Sequence, residues 1–295
     1  MIVVEHAPPY ATVQDQGRAG YRASGVPQSG AMDRWSLAMG NFIVGNPPDA
    51  AGLEWAIGGG SLRFEGDATI ALSGADAEAS LDGMSVPMGK AVSVRAGQQL
   101  TIRRIIARRF LYVAIRGGID CPMVLGSRST YLPAGFGGIG GRRLVRGDVI
   151  PIGDASAIAK DANKPGGPPP DYNSDVIRVI AATESRLLQS FFAGAYAVSL
   201  ASDRTGYRLE GDVALDSADT SITSEPVCAG TIQLPPGGHP IVLMADSPTI
   251  GGYRIIGTVI SIDLPILAQS VPGRRLEFKR ISVDAAQRLL RDARP

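Results

Sequence analysis

Hydrophobic positions in this chain fall mostly in short β-branched runs. Residues 69–72, 92–94, 100–102, 110–115, 176–180 and 241–244 are each bounded by Gly, Pro or Asp, which predicts many strands joined by tight turns. Asp82-Gly83, set between 79–81 and 84–86, predicts a hairpin turn. Helical spacing is rarer. Asp33 can cap a helix over 35–44, with Trp35, Met39, Phe42 and Ile43 on one apolar face and Gly45 ending it. Thr183 can cap a second helix over 184–193, with Leu187, Leu188, Phe191 and Phe192 as its apolar side. Ser282 can cap a terminal helix through Leu290, and a short turn is expected after Asp263-Leu264-Pro265. The pattern predicts a mainly β protein with a few short helices.

Residues 160–174 include a Gly pair and three consecutive prolines, which fit neither strand nor helix interior and read as a semi-rigid linker. The expected division is 1–159, a linker over 160–174, and 175–295. A short motif echoes across it: Arg18-x-Gly20-Tyr21-Arg22 returns as Arg204-x-Gly206-Tyr207-Arg208. Echo and linker together point to a duplicated fold with a shared or paired site.

Composition narrows the function. With 44% hydrophobic residues, 295 residues can bury a sizeable core. A net charge of +1 gives no field for nucleic acid or an anionic membrane, so neither is expected as a partner. Cys121, Cys228, His6 and His239 are too few and too scattered for a zinc site, and no metal is expected. The opening MIVVEHAPPY lacks the basic region and long apolar stretch of a signal peptide, and no run spans a bilayer, so a cytoplasmic location is expected. Two glycine patterns are decoys. Gly135 to Gly140 satisfies G-x-G-x-x-G but lacks a good preceding strand and a following helix. The stretch from Gly83 to Lys90 resembles a phosphate loop, but its glycines are one residue too far apart and Ala91 replaces the hydroxyl residue.

What remains is Arg, Tyr, Ser and carboxylate residues set in glycine. Around Arg18, Tyr21 and Arg22, glycines let backbone approach a ligand while guanidinium forks reach a carboxylate or phosphate. Arg–Asp bridges locking turns are the plain alternative. Ser127, Arg128 and Tyr131 sit in a hydroxyl-rich stretch that suits an anion or planar polar group, or a loop satisfying its own backbone. In the second half, Glu225 can act as a base or serve structure, and Gln233 can read an amide.

These segments carry a resemblance. TVQDQGRAGYRASGVPQSGAMD (12–33), NPPDAAGLE (46–54), GSRSTYLPAGFGGIGGR (126–142), GYRLEG (206–211) and SEPVCAGTIQLPPGGHPIVLMAD (224–246) resemble the biotin-dependent carboxyltransferase family related to urea amidolyase. That family includes the second subunit of allophanate hydrolase and the C subunit of 5-oxoprolinase. The resemblance covers nearly the whole chain and implies two cyclophilin-like β-barrel halves. It also implies a companion like the B subunit of 5-oxoprolinase or the first subunit of allophanate hydrolase, and a small amide or lactam substrate. ATP would act through the complex, and biotin, where involved, as carboxybiotin on a partner.

On this basis Arg22 and Arg208 are expected to hold a carboxylate or carboxylated intermediate, and Asp33 or Glu225 to move a proton. Ser29, Gly30 and Ala31 would offer donors to a developing oxyanion, and Tyr21 and Tyr207 would wall the ring. Arg18, Arg204, Ser127, Arg128, Tyr131 and Gln233 complete the expected binding set. The chain departs from the family pattern at Asp203 and Thr205, where Asn and Met are usual, and at Ser247-Pro248, where Arg-Gln is usual. A non-catalytic chain that regulates its companion is the other reading.

Overall fold

The computed structural model describes residues 1–157, 169–182, 186–211, 215 and 221–292. The chain forms two compact units, Met1–Ala19 with Ser29–Pro165 and Gly20–Gln28 with Gly166–Pro295. Most of the expected linker, like the Thr183 cap, lies outside the described residues. Nothing in the hydrophobic pattern signals that Gly20–Gln28 belongs with the second unit.

The first unit contains β1 (Ile2–His6), β2 (Tyr10–Gln14), α1 (Arg34–Val44), β3 (Gly52–Ile57), β4 (Gly60–Phe64), β5 (Ala68–Leu81), β6 (Met84–Ser85), β7 (Ala91–Val94), β8 (Gln99–Ile115) and β9 (Val149–Ile150). They make one curled sheet in the order β2-β3-β8-β4-β1-β9, with β5 pairing β6, β7 and β8. The outer edge of β2 is covered by loop backbone: Thr130 N–H donates to Val13 O at 3.0 Å and Leu144 N–H to Ala11 O at 2.9 Å. Covering an edge in this way blocks strand addition by other chains. Trp55, Phe64, Leu53, Leu62 and Ile70 fill the core inside the curl. Asp82 and Gly83 both take positive φ, and Leu81 faces Met84, as the expected hairpin turn requires.

The second unit contains β10 (Val176–Ala181), α2 (Arg186–Ala193), β11 (Ala195–Val198), β12 (Gly206–Gly211), β13 (Ser221–Pro226), β14 (Thr231–Leu234), β15 (Ile241–Leu243), β16 (Ile250–Val259), α3 (Leu264–Ala268), β17 (Arg275–Arg280) and α4 (Val283–Asp292). The order β10-β17-β11-β12-β15-β14-β16 closes on itself through β10–β16, giving a seven-stranded barrel to which β13 adds beyond β16. Gly257 permits the closure, since a Cβ there would lie 2.6 Å from Ile180 O. Phe191, Tyr196 and Phe278 pack ring to ring at 5.0–5.8 Å and anchor α2 to the barrel. The mainly β fold with a few short helices is therefore as expected. One half closes as a barrel and the other curls.

Helix α1 shows where pattern reading fails. Its ends are as expected: Asp33 accepts the Ser36 N–H at 3.0 Å, and Gly45 stops the helix with a left-handed φ of 78°. Its buried face is not. Ser36, Leu37, Gly40, Asn41 and Val44 turn inward, while Trp35, Met39, Phe42 and Ile43 are half-buried. The helix lies so close to the sheet that a Cβ on Gly40 would sit 2.6 Å from Ser73 Oγ and 3.1 Å from Ala114 Cβ. Close approach selects the small residues for the contact. The Ser73 hydroxyl completes it by donating to Ser36 O at 2.7 Å.

Candidate functional site

The residues expected to form one site are distributed over both units. In the first, Asp15 is the hub. Its carboxylate accepts from Gly17 N at 2.7 Å, Ser127 Oγ at 2.7 Å, Arg128 N at 2.6 Å and Ser129 Oγ. Arg18 is fully buried, donates to Ser129 O and stacks on Phe136, with its guanidinium carbon 4.8 Å from the ring centre. Arg128 donates to Cys121 O at 2.9 Å and to Asp120 at 2.6 Å. Tyr131 meets Phe136 with ring centres 5.4 Å apart. Arg18, Ser127, Arg128 and Tyr131 are thus drawn together in a network that ties 15–18 to 127–136.

The glycine-rich loop beside them is a packing device. A Cβ at Gly137 would lie 2.0 Å from Ser129 O, and one at Gly138 would lie 2.0 Å from Thr130 Oγ1. Gly138 and Gly141 spend their N–H groups on Arg128 O and Gly137 O, each at 2.9 Å. Those two donors are turned inward and cannot cradle a phosphate.

Ser29 is fully buried with φ of 53°, and its hydroxyl finds no partner among the described residues. Gly30 follows at φ 90°, where a Cβ would meet Gly17 N at 2.8 Å, and Ala31 N–H donates to Asp15 O at 2.8 Å. Asp33 is fully buried, and its second oxygen takes the Ser36 hydroxyl at 2.6 Å. Beneath this loop, Glu54 accepts from Met32 N at 2.7 Å and from the Tyr112 hydroxyl at 2.8 Å. Tyr112 in turn accepts from Asp33 N at 2.8 Å. Burial, then the neighbouring Glu54 and Asp33 carboxylates, push the Tyr112 phenol well above its ordinary pKa, so it stays a donor. Nothing in the sequence spacing marks Glu54 or Tyr112; only the paired register of β3 and β8 sets them opposite one another.

In the second unit, Arg204 is engaged by Asp246 through two bonds of 2.7 and 2.9 Å, with both side chains almost wholly buried. Tyr207 points into the barrel and donates to Ala268 O at 2.7 Å. Asp203 caps its own turn, accepting from Thr205 N at 2.8 Å and Gly206 N at 3.1 Å. Asparagine could serve that turn equally well through its side-chain oxygen. Ser247 is buried, and its hydroxyl has no partner among the described residues.

Arg208 and Gln233 share one outer row of the barrel, and Glu225 lies on the strand added beyond β16. Tyr207, Val242 and Ile232 stand in one cross-strand row and are fully buried, so the next row, Arg208, Ile241 and Gln233, faces outward. Two strand spacings separate the Arg208 and Gln233 Cα atoms, about 10 Å. Gln233 runs toward Gly251 and donates a long bond, 3.4 Å, to Tyr253 O. Opposite Gly251 stands Glu225. Directly paired residues project to one side, so Glu225 shares the face that holds the Gln233 amide. Arg22, in the 3-10 turn Arg22–Ser24, donates to Val227 O just beyond Glu225, and Tyr21 beside it is exposed. The Arg208 backbone N–H donates to Ser202 Oγ at 3.0 Å, while neither the Arg208 guanidinium nor the Glu225 carboxylate has a partner among the described residues.

The two cysteines differ sharply. Cys228, beside Val227, is exposed, whereas burial first of all raises the Cys121 thiol above its ordinary pKa. Titration of the native protein with a chromogenic disulfide is expected to release one equivalent quickly and the second only after denaturation. Two equally fast equivalents would contradict this placement.

The sequence model of the carboxyltransferase domain, subdomains A and B, matches residues 24–280, and the chain belongs to that family. Within it, the chain is 37% identical to the C subunit of 5-oxoprolinase from Escherichia coli strain K12, over 99% of this chain and 95% of the relative. The corresponding 5-oxoprolinase C subunit of Haemophilus influenzae is 35% identical over 95% of this chain and 91% of its own. Saccharomyces cerevisiae urea amidolyase is 30% identical over 95% of this chain, which spans only 16% of that protein. Among solved structures, Kluyveromyces lactis urea amidolyase superposes with a TM-score of 0.87 and 27% identity over 97% of this chain, here 19% of the solved one. No helix among the described residues is long and apolar enough to cross a membrane. No cluster of three or more metal-ligating side chains occurs among them.

Proposed function

We infer that this chain is one component of an ATP-dependent 5-oxoprolinase-type complex that opens the lactam of 5-oxoproline. The observation that carries the reading is the nearly end-to-end match with two 5-oxoprolinase C subunits, against a match to a small part of the urea amidolyases. The outer face of the barrel suits the substrate class. Arg208 and Arg22 offer guanidinium groups for a carboxylate, Glu225 accepts and returns a proton, and Gln233 presents an amide to an amide. Tyr21 offers an exposed ring beside them. Asp33 is given no proton-transfer role, because its oxygens are committed to capping α1. ATP is assigned to the companion subunits, and no step is drawn through it.

Mixing the purified chain with its companion subunits, 5-oxoproline and ATP is expected to yield glutamate and phosphate together, and neither when this chain is omitted. Full activity from the companions alone would remove the assignment, and a tight complex without turnover would favour a regulatory role. The structural likeness to urea amidolyase supports a second reading, carboxyl transfer from carboxybiotin on a carrier. That reading requires turnover to stop when avidin sequesters biotin, whereas lactam opening proceeds unaffected.

A further inference from the structure

We propose that Gly251 is a specificity-determining position, whose missing side chain sets the Gln233 carboxamide on the face shared with Glu225. The two groups then read the two sides of one amide. This rests on the function proposed above and adds a residue to it. A Cβ at Gly251 would lie 2.4 Å from Gln233 Nε2, 3.1 Å from its carboxamide carbon and 3.2 Å from Oε1. All three terminal atoms of Gln233 therefore occupy the space a side chain at 251 would fill.

Backbone strain does not explain the glycine. Gly251 is not among the positive-φ glycines, so alanine suits the backbone and its one close conflict is with Gln233. Gly251 also lies within a strand, where glycine loses packing and its presence marks a close approach. Here the approaching group is a carboxamide, almost wholly buried, whose hydrogen bond to Tyr253 O is long at 3.4 Å. A carboxamide so placed keeps donor and acceptor capacity for a ligand. Glu225, paired with Gly251, projects to the same side and is exposed. The carboxylate can accept the N–H of a cis amide while the Gln233 NH2 donates to its carbonyl oxygen. A lactam presents those two groups on one edge. An ester or a plain carboxylic acid presents no N–H, and this pair selects against both.

Gly252 provides the internal control. It faces the opposite side of β16, where an added Cβ would meet Ser224 Oγ at 3.4 Å, an ordinary contact. The test is the affinity of the full chain in its complex for 5-oxoproline, by calorimetry, alongside KM for its turnover. Gly251→Ala is expected to weaken binding and raise KM by roughly 3- to 10-fold, the loss of one neutral hydrogen bond. Gln233→Ala is expected to do the same, the double variant to be no worse than Gln233→Ala alone, and Gly252→Ala to match the parent protein. Multiplying effects in the double variant, or a Gly251→Ala protein with parental affinity, would overturn the proposal, as would a parent that binds no 5-oxoproline. Binding with this pattern but without turnover would sustain the role of Gly251 and remove only the lactam-opening assignment. Thermal melts of the four proteins check that each is folded.

Discussion

Asp246→Ala is expected to remove about 3–5 kcal/mol of folding stability, because it leaves the Arg204 guanidinium buried without its carboxylate. The pair is bidentate, at 2.7 and 2.9 Å, and only 6% of one side chain and 2% of the other is exposed. Screening by solvent, which makes surface pairs nearly worthless, does not operate here. The surrounding backbone depends on the same contact: Asp246 N–H donates to Arg204 O at 2.9 Å and Met244 N–H to Thr205 O at 3.0 Å. These bonds fasten the loop before β12 to the end of β15. Asp246→Asn keeps the shape and one acceptor, so its cost is expected to be smaller. Urea denaturation, read as a fall in midpoint at constant slope, measures both. A loss under 1 kcal/mol for the alanine variant would mean that the pair is not the lock its geometry describes.

Much of the architecture was legible because its signals are local. The β-branched runs at 69–72, 110–115 and 176–180 all lie inside strands, and Asp82-Gly83 turns the chain as its residue types require. Asp33, Gly45 and Ser282 mark helix ends through bonds that span only a few residues. The inward face of α1 was not legible, since Gly40, Ser73 and Ala114 meet only when helix and sheet dock.

The repeated Arg-x-Gly-Tyr-Arg motif misleads for a related reason. Its copies look alike, yet Arg22 sits in a 3-10 turn and Arg208 in a strand, while Tyr21 is exposed and Tyr207 is buried. Only the leading arginines behave alike, since Arg18 and Arg204 are both buried. Their partners, Ser129 O for one and Asp246 for the other, are far away in sequence and follow no pattern. A glycine inside a strand-like stretch, as at 251 and at 257, is the kind of local sign that points to close approach.

Arg208→Ala is expected to lower kcat/KM for 5-oxoproline by roughly 30- to 1000-fold, the cost of losing a guanidinium–carboxylate contact of about 2–4 kcal/mol. Fold and function separate cleanly at this position. The Arg208 side chain is exposed on the outer row of the barrel, and its backbone N–H donates to Ser202 Oγ at 3.0 Å, a bond that alanine preserves. Its melting temperature is therefore expected to stay near that of the parent. Arg208→Lys keeps the charge but not the fork, and should fall between the two. The lactam 2-pyrrolidinone, which lacks the carboxylate, distinguishes substrate binding from a general defect. If Arg208 grips the carboxylate, the parent should handle 2-pyrrolidinone poorly, and Arg208→Ala should lose little further activity on it. Equal losses on both lactams would place Arg208 in support of the site or the complex, and would leave Arg22 as the group to test for the carboxylate.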